Sequence, residues 1–152
     1  MPGPLDGVKI VDLSAVIAGP MATGMLADQG AEVIKVEPLG LGDLCRWLGP
    51  NRNGLGAMFA AVNRNKRSIA LNLKDEKAKA VLRELLKDAD VFVQNFRPGA
   101  IDRMGFGYEA LLPNGVVVPV LPGDKNNIRR VGDTAPSVGP VTAFTTTMVP
   151  AG

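Results

Sequence analysis

The sequence predicts an α/β domain, a mostly parallel sheet flanked by helices. Three observations carry that reading. Short β-branched runs alternate with helical segments as far as residue 112, and one of those helices carries a clear apolar stripe. In addition, 46% of the 152 residues are hydrophobic, enough for the core of one domain.

Val8–Leu13 is the first strand. After a break at Gly19-Pro20, Met21–Gln29 reads as a helix closed by Gly30. The second strand is Ala31–Val36. A loop rich in glycine and proline runs from Pro38 to Gly56, followed by a short apolar helix around Met58–Val62 and a buried strand over Ser68–Leu73. In the helix Glu76–Asp88, residues Ala78, Val81, Leu82, Leu85, Leu86 and Ala89 share one face, the opposite face is charged and wet, and Asp75 is placed to cap it. Asp90–Val93 opens a fourth strand that runs into QNFRPG. Ala100–Met104 and Tyr108–Leu112 are short helical pieces around Gly105 and Gly107.

Beyond Pro113 the alternation is lost. Asn114–Gly152 holds one strand-like run, Gly115–Val118, and then becomes rich in glycine, proline and threonine without a helical period. The expected organisation is an αβ region over residues 1–113 and a divergent tail over 114–152, the pattern either of a truncated or frame-shifted product or of a short protein with its own tail.

Composition removes several classes of function. The net charge of +2, from 17 cations and 15 anions, provides no global field for nucleic acid or an anionic membrane. Any anion recognition has to be local. With no histidine and one cysteine, Cys45, the chain has no Ser-His or Cys-His pair, no histidine base, no histidine or thiolate metal cluster and no intrachain disulfide. The opening MPGPLDGVKI does not read as a signal peptide, and no stretch reads as a membrane span, so the cytoplasm is the expected location.

Ligands of parallel sheets gather at the carboxyl ends of the strands. Four segments lie there: Ser14–Gly19, Lys35–Pro38, Asn72–Lys74 and Asn95–Gly99. Together they offer small residues for close approach, amides for a planar polar group, and cations for phosphates. Each also has a plain structural reading: Gly19-Pro20 as a turn, Lys35 as an edge charge, Arg97-Pro98-Gly99 as a tight turn. The stretch NRNKRSIALNLK crowds Arg64, Lys66 and Arg67 against a strand, with Lys74 closing it. That cluster reads equally as a solvated or sheet-capping group and as an anion site.

The stretches PLDGVKIVDLS, AGPMATGMLADQGAEVIKVEPLGLGDLCRWLGP, NRNKRSIALNLK and ADVFVQNFRPGAIDRMGFGYEALL closely resemble the start of the class III CoA-transferases (CaiB/BaiF type), a family that also includes acyl-CoA racemases. The resemblance runs from about Pro4 to Leu112. It implies the amino-terminal part of a Rossmann-like large domain, with coenzyme A or acyl-CoA bound as a substrate and no prosthetic group. Carried over by position, it implies that Val16, Ile17 and Ala18 pass along CoA through their backbone, and that Leu71 and Lys74 flank the adenine and its phosphates. Asn95, Phe96, Arg97, Arg103 and Met104 would complete the pocket.

Two departures bear on substrate preference: Ile17 stands where some relatives have glutamine or histidine, and Pro38 where some have arginine. The family reaction, transfer of CoA between an acyl-CoA and a carboxylic acid, uses an aspartate nucleophile. By resemblance that residue would lie just past the end of this chain, and neither Asp124 nor Asp133 sits in its sequence context. No catalytic or metal residue is therefore assigned, and the expectation is a CoA-binding fragment inactive alone. The alternatives are an acyl-CoA racemase relative, or a non-catalytic CoA- or partner-binding remnant. The resemblance also implies a homodimer or association with a full-length relative, with neither nucleic acid nor membrane as partner.

Overall fold

A computed structural model describes residues 3–97 and 99–111. The strand-like run Gly115–Val118 and the rest of the tail lie outside them. In chain order the elements are β1 (Lys9–Asp12), α1 (Ala18–Asp28), β2 (Glu32–Glu37), a 3-10 turn (Leu44–Trp47), β3 (Asn51–Arg52), β4 (Leu55–Gly56), α2 (Ala57–Val62), β5 (Lys66–Ala70), α3 (Glu76–Lys87), β6 (Val91–Val93), α4 (Ala100–Arg103) and α5 (Tyr108–Leu111).

Four strands form one parallel sheet in the order β5-β2-β1-β6, and β3 and β4 make a separate antiparallel ribbon. The chain steps outward from β1 to β2 to β5, then returns to lay β6 on the other side of β1. In an open parallel sheet that reversal leaves a crevice beyond the carboxyl ends of the two strands that flank it. Here those strands are β1 and β6.

Strand alternation assigns the two faces. Ile10, Val33 and Val93 pack with Ala27 and Ala31 on the α1 side. Val11, Leu13, Val36 and Phe92 pack with Leu82, Leu86, Ile101 and Phe106 on the side of α3 and α4. Leu82 and Leu86 are wholly buried, each contributing about 2–3 kcal/mol of apolar burial. Of the stripe expected on α3, Leu82, Leu86 and Ala89 are buried and Ala78 and Leu85 half-buried, whereas Val81 is exposed at the edge of the face; Asp75 caps the helix by accepting from the Lys77 amide at 2.9 Å.

Two expectations change. Helix α1 begins at Ala18, before Gly19-Pro20, so that dipeptide is neither a break nor a turn. Pro20 sits in the first helical turn, where its missing N–H leaves no helical bond unmade. Gly19 is required there by close approach, because a Cβ on it would lie 2.3 Å from the Ser14 side chain.

The third strand of the sheet runs over Lys66–Ala70 rather than Ser68–Leu73, and among the described residues it is a half-exposed edge strand, not a buried one. Pairing with β2 runs from Val33↔Lys66 to Glu37↔Ala70, which places Lys66 and Arg67 inside the ladder. Ile69, Leu71 and Leu73 still share one side and pack on the α3-side core, although the ladder ends before Leu71.

Candidate functional site

The upper half of the α1-side sheet face is charged. Register sets Asp12 beside Lys35 and Lys35 beside Ser68, with Glu37 and Lys66 on the same face by alternation. Asp12, Lys35 and Glu37 are buried and so is the Lys66 side chain, so each charge needs a partner. Lys35, expected as an edge charge, is 1% exposed on a strand flanked by two others. It is tolerated there because its ammonium meets the Asp43 carboxylate at 2.8 Å and donates to the Ser14 carbonyl at 2.8 Å.

Lys66 reaches Asp12 at 3.0 Å and also donates to the Pro20 carbonyl (2.7 Å) and Asn63 Oδ1 (2.9 Å). Burial pushes the Lys66 pKa down against the pull of Asp12. Asp12 in turn accepts from the Ser14 amide at 2.9 Å, from the Ser14 hydroxyl, and from Thr23 Oγ1 at 2.7 Å.

Glu37 receives Arg46 in a two-pronged contact, 2.7 Å from Nε and 2.7 Å from a terminal nitrogen, together with Ser68 Oγ at 2.6 Å and the Asp43 amide at 2.9 Å. Burial alone would raise its pKa. The hydrogen bonds from Arg46, Ser68 and the Asp43 amide outweigh that effect and lower it to about 2. The Arg46 guanidinium lies 3.7 Å from the centre of the Phe59 ring, fixing the 3-10 turn over α2.

This network ends at the loop between β1 and α1. Asp43 Oδ1 accepts from the Val16 amide at 3.0 Å and from the Cys45 amide at 2.9 Å. Asn95, just past β6, uses both ends of its amide on Ala15, accepting from its N–H at 2.9 Å and donating to its carbonyl at 2.8 Å. Val16 is held at φ 71°, a conformation that costs a β-branched residue on the order of 1–3 kcal/mol. Val16, Ile17 and Ala18 then lead into α1, and among the described residues no side chain caps that helix.

The expected site residues divide by position. Val16–Ala18 follow β1 and Asn95–Arg97 follow β6, at the carboxyl ends of neighbouring strands, and the Ala15–Asn95 clamp ties the two segments together. The turn after β6 is set by Gln94, whose side chain accepts from the Phe96 amide at 2.7 Å. Arg103 and Met104 follow on α4 and its end, with Arg97 and Arg103 exposed. Gly99 sits at φ 73°, and the space over it is taken by the Arg103 guanidinium. Leu71 and Lys74 follow β5, two strands away from β1 at the same end of the sheet. Leu71, Phe96 and Met104 all pack against the α3-side core.

Arg64, Lys66 and Arg67 do not form an open anion site. Arg64 pairs with Asp28 and Arg67 with Glu32 at the surface, and Lys66 is buried on Asp12. Sequence reasoning missed Glu37, Asp43 and Arg46 as parts of the frame. The signal was present: Lys35 and Glu37 alternate with Ile34 and Val36 in a strand covered on both sides, so their face had to contain counter-charges.

The strand order and the crevice define a Rossmann-like α/β domain. Residues 5–114 match CoA-transferase family III, and the chain belongs to that family. It is 50% identical over 109 residues to an acetyl-CoA:oxalate CoA-transferase of Acetobacter aceti, covering 72% of this chain and 28% of that protein. Against the succinyl-CoA:glutarate CoA-transferase of Homo sapiens the identity is 53% over 107 residues, covering 70% and 24%. A crystal structure of a CAIB/BAIF family protein from Brucella suis superposes with a TM-score of 0.71 at 40% identity, covering 80% of this chain and 32% of that one. The chain therefore spans about a quarter of the length of the curated relatives it matches. No helix among the described residues is long and apolar enough to cross a membrane.

Proposed function

We propose that the αβ region is the coenzyme A-binding portion of an acyl-CoA:carboxylate CoA-transferase, with CoA or its thioester as substrate. The observation that carries this reading is the Ala15–Asn95 clamp, which holds the strained Val16 loop at the crevice where a parallel sheet takes its ligand. Backbone groups of Val16, Ile17 and Ala18 would line the chain of the cofactor-sized substrate. Leu71, Phe96 and Met104 supply apolar contacts, and Asn95 holds the loop in place. Lys74, Arg97 and Arg103, all exposed at this end, supply positive charge for phosphates. The names of the relatives, each a transfer of CoA between a thioester and a dicarboxylate, agree with that substrate class.

The covalent step is not assigned to these residues. The carboxylates of Asp12, Glu37 and Asp43 are buried and committed to amides, hydroxyls and cations, so none is free to attack a thioester. The chain by itself is expected to bind without turnover. Pairing with a second copy or a full-length relative, in the cytoplasm, belongs to the same reading.

Calorimetry with CoA and with its analogue lacking the 3′-phosphate tests it. Saturable heat with CoA and weaker binding of the analogue are expected. Equal heats, or none from either, would overturn the assignment.

A further inference from the structure

The loop at the crevice is fixed more heavily than a connecting turn requires. Every backbone polar group from the Ser14 amide to the Val16 amide is engaged: Asp12 takes the Ser14 N–H, Lys35 the Ser14 carbonyl, Asn95 both groups of Ala15, and Asp43 the Val16 N–H. Those side chains come from β1, β2, the segment after β6 and the segment after β2. The residue they converge on, Val16, is β-branched and at φ 71°, a backbone region that glycine occupies freely and valine does not. A strained residue persists only where its surroundings over-determine it.

We propose that Asp43, itself oriented by Lys35 and Glu37, is a positioning residue that sets the left-handed conformation of Val16. It thereby sets the backbone path of Val16–Ala18 along the substrate. The inference rests on the CoA-binding reading above. The geometry is a relay: Ser68 and Arg46 hold Glu37, Glu37 accepts the Asp43 amide, and Lys35 draws one Asp43 oxygen to 2.8 Å while the other receives Val16 N–H at 3.0 Å. The same oxygen takes the Cys45 amide, so Asp43 also closes the turn it belongs to. Asp43 is 2% exposed, so it acts on a ligand only through the groups it holds, and of these the Val16 amide lies on the substrate path.

The test uses the whole 152-residue chain as Asp43→Ala, Asp43→Asn, Val16→Gly and the Asp43→Ala/Val16→Gly double variant. Two readouts are followed: the amide resonance and backbone coupling constant of residue 16, and CoA affinity by calorimetry. Asp43→Ala should move the residue 16 amide, change its coupling constant and weaken CoA binding about tenfold, the loss of one such bond. Asp43→Asn keeps an acceptor for the Val16 amide and should lose less. In the Val16→Gly background the same Asp43→Ala change should cost little affinity, because glycine holds a positive φ unaided.

Equal losses of affinity from Asp43→Ala in the valine and glycine backgrounds would reduce Asp43 to a general structural role and overturn the proposal. An unmoved residue 16 amide in Asp43→Ala would do the same. If Asp43→Ala fails to fold, Asp43→Asn and Lys35→Met carry the comparison with the same readouts. If the unmodified chain binds no CoA, the functional reading fails, while the coupling constant of residue 16 still decides whether Asp43 sets its conformation.

Discussion

The Lys66 ammonium lies 3.0 Å from the Asp12 carboxylate, and neither side chain is more than 2% exposed. One partner comes from the outer strand and the other from a central strand, with β2 between them. Lys66 bridges over it to bind α1 as well, through the Pro20 carbonyl. A residue that sequence alone offers to a phosphate thus holds helix, edge strand and central strand together.

Lys66→Met should therefore act on stability. Removing one partner leaves the Asp12 carboxylate buried without its counter-charge, at a cost of about 3–5 kcal/mol. Urea denaturation measures it, and combining the change with Asp12→Asn should recover part of the loss. A cost below about 1 kcal/mol, the range of exposed pairs, would contradict the buried bridge.

Arg64 and Arg67 predict the opposite. Their pairs with Asp28 and Glu32 lie at the surface, so Arg64→Ala and Arg67→Ala should each cost less than about 1 kcal/mol. CoA affinity should stay within about twofold. A tenfold loss, roughly 1.4 kcal/mol, in either variant would make that arginine a ligand.

Glu37 gives the fold an acid-sensitive limb. Its folded pKa of about 2 lies below the ordinary value of 4.5, so its contribution is complete above about 4.5 and fades as the pH falls toward 2. Glu37→Gln should flatten the stability profile across that window and cost on the order of 2 kcal/mol at neutral pH. Denaturant midpoints measured between pH 2 and pH 7 decide this, and parallel profiles for the two proteins would contradict it.

Gly19→Ala should cost about 1–3 kcal/mol, because the new methyl group falls 2.3 Å from the Ser14 side chain. The amides of Ser14 and Val16 should shift in the same variant, since Ser14 is tied to Asp12 and Lys35. An unshifted loop with unchanged stability would show that α1 does not press on it.

Much of this arrangement is legible in the sequence, and what escapes has a physical cause. The stripe of α3 and its Asp75 cap follow from local periodicity, and the parallel sheet from alternation of strands with helices. The start of α1 escapes because proline marks a break only when it lies beyond the first turn, and nothing local says that Ala18 precedes it. The ends of β5 escape because the Val33–Glu37 ladder, not the apolar run Ile69–Leu73, decides which residues pair. At the site, resemblance indicates which residues lie near the crevice. It does not show that Asn95 is occupied by Ala15, or that Asp43 and Glu37 brace the loop, since those contacts join segments 80, 27 and 6 positions apart.

Chemical-shift mapping of the labelled chain during titration with CoA decides whether the crevice between β1 and β6 takes the substrate. Saturable shifts are expected at Val16–Ala18, Asn95–Arg97 and Arg103–Met104, reaching Leu71 and Lys74, with Arg64 and Arg67 still. Shifts centred on Arg64–Arg67, or no saturable shift at the crevice between β1 and β6, would contradict that expectation.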